Sequence, residues 1–417
     1  MRVLWICYKP IGKSGEILSG IKSQSGTWVD AALQQIVSQK DVVLAIASII
    51  DKNIKKYDEK TGVIFYGIKE KRSIGGRPLR CLNAWEELIE DFAPDIIQVW
   101  GTEYKNGLDI ARTARKREIP ILFYMQGVVQ AIAAHPYGDI STKEYYQHLG
   151  LLGRFRLCRD SYLQKRFEKQ AEWEKKMVAL SDGILTDNAW CAAYFPETKA
   201  YMHSLPINEA FMQRQHKDED AEPYSIMCCA GRGAHKGLHV LIKALPVIKK
   251  DFQNVRVYIP GDMSTRSPKW LFEPAYITYL NKLIDTLGVR ENIIFCGQLS
   301  SEQMAERMNQ SQIFVLPSCI ENHSSTLREA MYLGLPCVTT MVGSVHEFVQ
   351  HKQNGLIFRY AEAEQLAQYV KVLFANADER KRIGQTAYES IHRQFSLNEA
   401  ESMVSIYESV IRKKKKE

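Results

Sequence analysis

Two carboxylates with seven residues between them, Glu321 and Glu329, bracket the polar run Asn322–Arg328. An apolar strand pattern, Ile313–Leu316, comes before it and is broken by Pro317. A helix pattern opens at Ser325 or Thr326, ends at Gly334, where glycine tolerates a left-handed conformation, and cannot resume through Pro336. A second strand, Cys337–Thr340, then runs into a turn at Gly343. In a doubly wound sheet ligands sit at the carboxyl ends of strands, and a helix N-terminus there offers unpaired N–H groups to a phosphate. Ser324, Ser325 and Thr326 stand at such a terminus. Glu329, on the first turns, is placed to accept hydrogen bonds from ribose hydroxyls. A solvated loop before a capped helix would read the same way locally, so the surrounding chain has to decide.

Further chemistry lies upstream. Ser225–Cys229 reads as a strand, followed by Ala230-Gly231-Arg232-Gly233-Ala234-His235-Lys236-Gly237 and a helix over Leu238–Lys249. An arginine and a lysine at a strand exit, beside a helix N-terminus, form a natural diphosphate clamp. Either residue alone would be a surface charge, and only the pair's place on the sheet argues for more. Two other motifs fail. Gly12-Lys13-Ser14 lacks the first glycine of a P-loop, since Cys7 stands in its position. Asp218-Glu219-Asp220 has a metal-binding D-x-D spacing, but it sits in the charged, aperiodic stretch Gln213–Pro223 and reads as a solvated linker.

Glu321, Glu329-Ala330-Met331 and Gly334-Leu335-Pro336 together resemble the E-x7-E segment of retaining GT-B glycosyltransferases of family 4. Glu321-Asn322 followed by serines resembles a branch found in bacterial surface and capsular polysaccharide gene clusters. The resemblance implies an α/β chain of GT-B type, two doubly wound Rossmann-like domains facing a central cleft. It implies a nucleotide-diphosphate sugar as donor and no metal or other cofactor. Arg232 and Lys236 would hold the diphosphate with the N–H groups near Ser324–Thr326, and Glu329 would hold the ribose. The turn ending in Leu299 would back the base, and Gly26 would contact the donor phosphate from the first domain. Glu321 would be catalytic, binding the sugar hydroxyls. Retention would follow from same-face attack with the departing phosphate as base. Two departures stand out: the Arg232–Lys236 loop is one residue shorter than the family's common spacing, and Gln126 replaces the histidine of a His-Gly pair.

The elements that must position these groups follow from alternation. Strands are expected at Val3–Tyr8, Val42–Ser48, Val63–Tyr66, Ile96–Val99, Ile121–Met125 and Gly183–Thr186, with helices at 27–38, 82–92 and 106–117. That pattern gives a parallel sheet covered on both faces. It puts Glu103 and Gln126 on the sheet's ligand edge, where an acceptor would bind. His135, a short loop away, is a candidate for catalysis at the acceptor site or an ordinary loop histidine. A Gly/Ser-rich loop is expected from Pro10 to Gly26. The long helix 151–180 interleaves Arg and Lys with Asp160, Glu168, Glu172 and Glu174, a solvated pattern. Its first part, Leu151–Lys169, is the alternative candidate for peripheral contact with an anionic membrane.

The chain has 417 residues, long for one core, which suggests two domains. The resemblance makes residues 1–212 the acceptor-binding domain, 213–223 the linker and 224–396 the nucleotide-sugar-binding domain. It also implies that a last helix, 397–415, returns to the first domain, and Lys413–Lys416 is expected as a frayed tail. At 45% hydrophobic and 25% charged the composition is that of a soluble globular protein, and the net charge of +7 does not by itself indicate a nucleic-acid binder. Nine scattered cysteines without a Cys-x-x-Cys pair suggest a reducing cytoplasm, with peripheral association at the inner membrane face as the extension. The leading expectation is transfer of a sugar to a polysaccharide or lipid-linked precursor. The competing one is a catalytically silent GT-B subunit that binds glycan or a partner transferase.

Overall fold

A computed structural model describes residues 1–20, 27–69, 82–149, 151–261, 275–397 and 402–416. The chain divides into two compact units. One comprises Met1–Gln130, Glu168–Pro206 and Glu399–Glu417, and the other Ala131–Phe167 and Ile207–Asn398. Residues 131–167, expected in the first domain, thus cluster with the second unit.

The first unit is built on β1 (Arg2–Cys7), β2 (Val43–Ile50), β3 (Ile54–Asp58), β4 (Val63–Lys69), β5 (Ile96–Trp100), β6 (Ile121–Tyr124), β7 (Gly183–Thr186) and β8 (Ala200–Met202). They lie in the order β3-β4-β2-β1-β5-β6-β7-β8, and all neighbours are parallel except β3 on β4. The inner strands β1, β5 and β6 are buried along nearly their whole length, as helices on both faces require. Sequence periodicity does not reveal β3 or β8. β3 carries the exposed Lys55 and Lys56 on the sheet edge, where charge blocks further strand pairing, and β8 has only three residues.

The stretch expected as one loop from Pro10 to Gly26 contains a helix, Gly12–Ser19. Ser14 Oγ accepts from Ile11 N at 3.0 Å, and Leu18 is buried, so local capping and one apolar anchor suffice to order it. Asp30 Oδ1 already accepts from Lys13 N at 2.9 Å. An acidic side chain occupies this helix start, which disposes of the P-loop reading.

The long helix Leu151–Leu180 is not solvated throughout. Glu174 and Met177 have no exposed surface, and Gln170 is buried. Glu174 accepts from Thr102 Oγ1 at 2.7 Å, Val129 N at 3.0 Å and Gln130 N at 3.1 Å. A carboxylate that reads as a surface charge therefore ties together the loops after β5 and β6. The membrane-facing reading of Leu151–Lys169 rests largely on side chains outside the described residues.

The last helix, Met403–Lys414, packs on the first sheet. Tyr407 Oη accepts from Trp5 Nε1 at 2.9 Å and donates to Gln98 Oε1, and all three residues are fully buried. Lys414 is no frayed residue: its Nζ lies 3.0 Å from Asp182 Oδ1.

The second unit holds β9 (Glu222–Met227), β10 (Arg256–Ile259), β11 (Ile293–Phe295), β12 (Ser311–Leu316), β13 (Cys337–Thr340) and β14 (Leu356–Phe358). All neighbours are parallel in the order β11-β10-β9-β12-β13-β14. β12 is buried at every position, which explains its unbroken apolar reading. The helix Ala377–Leu397 has no counterpart in the sequence expectations. Its Arg380 pairs with Asp218 through Nε–Oδ1 and Nη2–Oδ2, both 2.7 Å. Asp218 therefore closes a structural ion pair and is not part of a solvated linker. No described helix is long and apolar enough to cross a membrane.

Tyr407→Phe should leave Trp5 Nε1 and Gln98 Oε1 without their partner in the core, a cost of about 1–3 kcal/mol. Urea unfolding should show a lower midpoint with an unchanged slope; an unchanged midpoint would contradict the buried bridge.

Candidate active site

Strand order reverses between β9 and β12, since the chain leaves β9 toward β10 on one side and β12 toward β13 on the other. Such a switch point opens a crevice outside the carboxyl ends of the two strands. Two loops meet there, 228–237 after β9 and 317–324 after β12. The Cys319 N–H donates to His235 O at 2.9 Å. Lys236 Nζ lies 2.8 Å from Glu321 Oε1, and Ser318 Oγ donates to the same oxygen at 2.6 Å. The backbones themselves touch. A Cβ on Gly237 (φ +70°) would sit 1.8 Å from Pro317 O, and one on Gly343 (φ +55°) would sit 1.6 Å from Glu321 O. Thr340 Oγ1 donates to Ser318 O at 2.6 Å from below. Glu321, 8% exposed, is thus held from β9, β12 and β13 together.

The helix Ser325–Leu333 starts beside this carboxylate. Its N-cap, Ser324, makes no side-chain capping bond, and its first turn carries no acid. Ser325 and Thr326 therefore bring a helix N-terminus with positive dipole character to the crevice, suited to an anionic group. One turn on, desolvation pushes the Glu329 carboxyl up to about 8, although the Arg328 charge opposes the shift. Arg328 itself is buried at 3% exposure, with Nη1 2.8 Å from His323 Nε2 and the guanidinium over the Phe395 ring at 4.8 Å. Burial, aided by Arg328, holds His323 well below its ordinary range and so neutral. Sequence reasoning overlooked Arg328. Its only signal was its place one residue before Glu329, and burial under the loop is what distinguishes it.

The other expected site residues divide. Arg232 is exposed on the loop after β9. Leu299 follows β11 and packs half-buried against the core that includes Met308 and Leu316. Gly26 lies outside the described residues. In the first unit the strand order reverses between β1 and β5, and Glu103 follows β5. A Cβ on Gly101 would lie 2.2 Å from Glu103 Oε2 and 3.2 Å from Gln126 Oε1, so the two side chains flank one glycine. Desolvation, with Glu174 adding, pushes the Glu103 carboxyl up to about 7. His135 belongs to the second unit and pairs with Asp139, Nδ1 to Oδ1 2.8 Å.

Residues 211–390 match the family Glycosyl transferases group 1. The chain is 29% identical over 137 residues to the N-acetyl-alpha-D-glucosaminyl L-malate synthase of Bacillus anthracis, covering 33% of this chain and 34% of that protein. It is 22% identical over 242 residues, 56% of each chain, to a GDP-mannose-dependent alpha-(1-6)-phosphatidylinositol monomannoside mannosyltransferase of Mycobacterium tuberculosis. The chain spans 34–45% of the length of the first three curated relatives it matches. Among solved structures, sucrose-phosphate synthase from Thermosynechococcus elongatus superposes with a TM-score of 0.69 at 13% identity, over 99% of this chain and 100% of that one. Anabaena HepE in complex with UDP and glucose gives 0.64 at 14% identity, over 99% of each. The fold is GT-B.

Gly343→Ala should displace Glu321, because the new methyl group meets backbone and not a flexible side chain. Gly288 has a similar φ of +62° with nothing within 4 Å, and is the control. Gly288→Ala should cost only the left-handed penalty, about 1–2 kcal/mol. Gly343→Ala should cost clearly more on chemical denaturation, and equal losses would contradict the contact.

Proposed function

We propose that the chain is a metal-independent, retaining glycosyltransferase of family 4 type, moving a sugar from a nucleotide-diphosphate donor to a polysaccharide or lipid-linked precursor. One observation carries the reading. The loops after β9 and β12 converge at a switch point on a cation, Lys236, a fixed carboxylate, Glu321, and a helix start with no side-chain cap. The same stretch matches Glycosyl transferases group 1. Relatives named for a phosphatidylinositol monomannoside acceptor and for lipopolysaccharide core biosynthesis support the acceptor class.

The donor diphosphate lies against the N-terminus of Ser325–Leu333. An ammonium has three donor protons, so Lys236 can keep Glu321 on one and turn the others to phosphate. Lys236, Arg232 and the helix dipole stabilise the negative charge that grows on the leaving diphosphate, the task a metal performs elsewhere. Glu321, already oriented by Ser318, accepts from sugar hydroxyls and fixes the anomeric carbon. The departing phosphate takes the acceptor proton, so attack comes from the face the leaving group vacates. Glu103 and Gln126 stand at the acceptor edge of the first sheet. The peripheral membrane contact belongs to the same proposal, since a lipid-linked acceptor is presented at a surface.

Incubation with a panel of nucleotide sugars and crude lipid-linked acceptors tests the activity. One donor should yield free nucleotide diphosphate and glycosylated product, at rates unchanged by added Mg2+ or Mn2+. Glu321→Gln should cut turnover at least a hundredfold, within the range for lost positioning and electrostatic groups. Product formation at wild-type rate in Glu321→Gln would remove the assignment. Nucleotide binding without any transfer would favour the silent-subunit reading.

Binding should also be linked to protons. Ribose hydroxyls donate to the ionised form of Glu329, while desolvation holds it protonated up to about 8 in the free protein. Between the ordinary carboxylate range and pH 8, nucleotide binding therefore releases a proton, and affinity rises with pH until it levels off above 8. Calorimetry at neutral pH in buffers of different ionisation enthalpy should show this release in the wild type and lose it in Glu329→Gln. Equal values in both would place the ribose elsewhere.

A further inference from the structure

Residues 135–139 belong to the second unit, where they are pinned by backbone. Gly138 has φ +60°, and a Cβ there would lie 2.2 Å from Ala234 O. The Tyr360 hydroxyl donates to Gly138 O. This fit brings His135 and Asp139 to the loop after β12, beside Cys319. One donor atom from each of the three residues lies within 4.8 Å of the other two. Among the described residues this is the one place where three such groups converge. The proposed transfer chemistry uses none of them.

A surface ion pair accounts for only part of the arrangement. His135 and Asp139 are four residues apart and half-exposed, 2.8 Å between Nδ1 and Oδ1, as many solvated pairs are. Cys319 is different. It comes from another loop, is 7% exposed and adds a soft sulfur donor to the imidazole nitrogen and carboxylate oxygen. Sulfur excludes Mg2+ and Ca2+, which prefer all-oxygen shells, and the mixed N, O, S set is that of zinc. Tetrahedral zinc, with bonds of about 2.0–2.3 Å, needs its donors about 3.3–3.8 Å apart, so donors now within 4.8 Å of one another have at most about 1–1.5 Å to close.

We propose that His135, Asp139 and Cys319 form a Zn2+ site, completed by water, that clips residues 135–139 to the loop carrying Glu321. Cys319 binds as the thiolate, so its proton leaves to solvent as the metal enters. The site shares no ligand with the diphosphate clamp, so it stands or falls independently of the transferase reading and of metal-free transfer.

The test uses the full chain, reduced and stripped by chelator, then titrated with Co2+. The wild type should give tetrahedral visible bands and a near-ultraviolet thiolate-to-metal charge-transfer band, and Zn2+ should displace both at one equivalent. Cys319→Ser should lose the charge-transfer band although the other cysteines remain. His135→Ala, at a half-exposed position that leaves the core intact, and Asp139→Asn should each weaken Zn2+ binding at least tenfold. No band in the wild type, the same band in Cys319→Ser, or wild-type Zn2+ affinity in His135→Ala would each overturn the proposal.

Discussion

The ion pair between Lys236 and Glu321 is the contact on which the rest of the proposed site depends. A carboxylate with 8% of its surface exposed needs a cation or several donors, and Lys236, about one-third exposed, supplies the cation. The pair can form only if β9 and β12 are neighbours and their following loops pass in backbone contact, which Gly237 and Gly343 permit. Strand order, two left-handed glycines and one charge pair are therefore a single constraint. It holds Glu321 in one orientation, the preorganisation on which the proposed donor site relies.

The same logic recurs with different residues in the first unit. Glu174 is buried by its helix and satisfied by Thr102, Val129 and Gln130, so it fixes the two loops that follow β5 and β6. Its proximity then raises the Glu103 carboxyl beyond what desolvation alone does. A buried acid thus organises this edge, and a second acid, Glu103, is left near neutrality beside it.

Much of this was legible in the sequence where local and global signals agree. Gly183–Thr186, Leu238–Lys249 and Cys337–Thr340 fall at the residues their patterns predict, because an apolar run bounded by glycine or proline admits one reading. The carboxylate pair and the cationic loop were legible as motifs and as places on a sheet, but their contact was not, since it depends on strand order. Charge misled where burial was tertiary. Glu174 and Asp218 look solvated in sequence, yet one is enclosed by its helix and the other by Arg380. The strand Ile54–Asp58 escaped notice because a sheet edge tolerates lysines that an inner strand would not. The meeting of His135 with Cys319 joins positions far apart in the chain, and no periodicity or spacing encodes it.

The most direct test of a diphosphate site at the β9/β12 switch point is thermal unfolding against UDP-, GDP-, ADP- and CMP-sugars, in wild type and in Lys236→Met. A ligand bound by the folded state alone raises the midpoint by mass action. One nucleotide class should raise the wild-type midpoint, and that increment should vanish or shrink severalfold in Lys236→Met, each protein measured against its own ligand-free midpoint. An equal increment in both proteins, or none with any nucleotide sugar, would contradict the site.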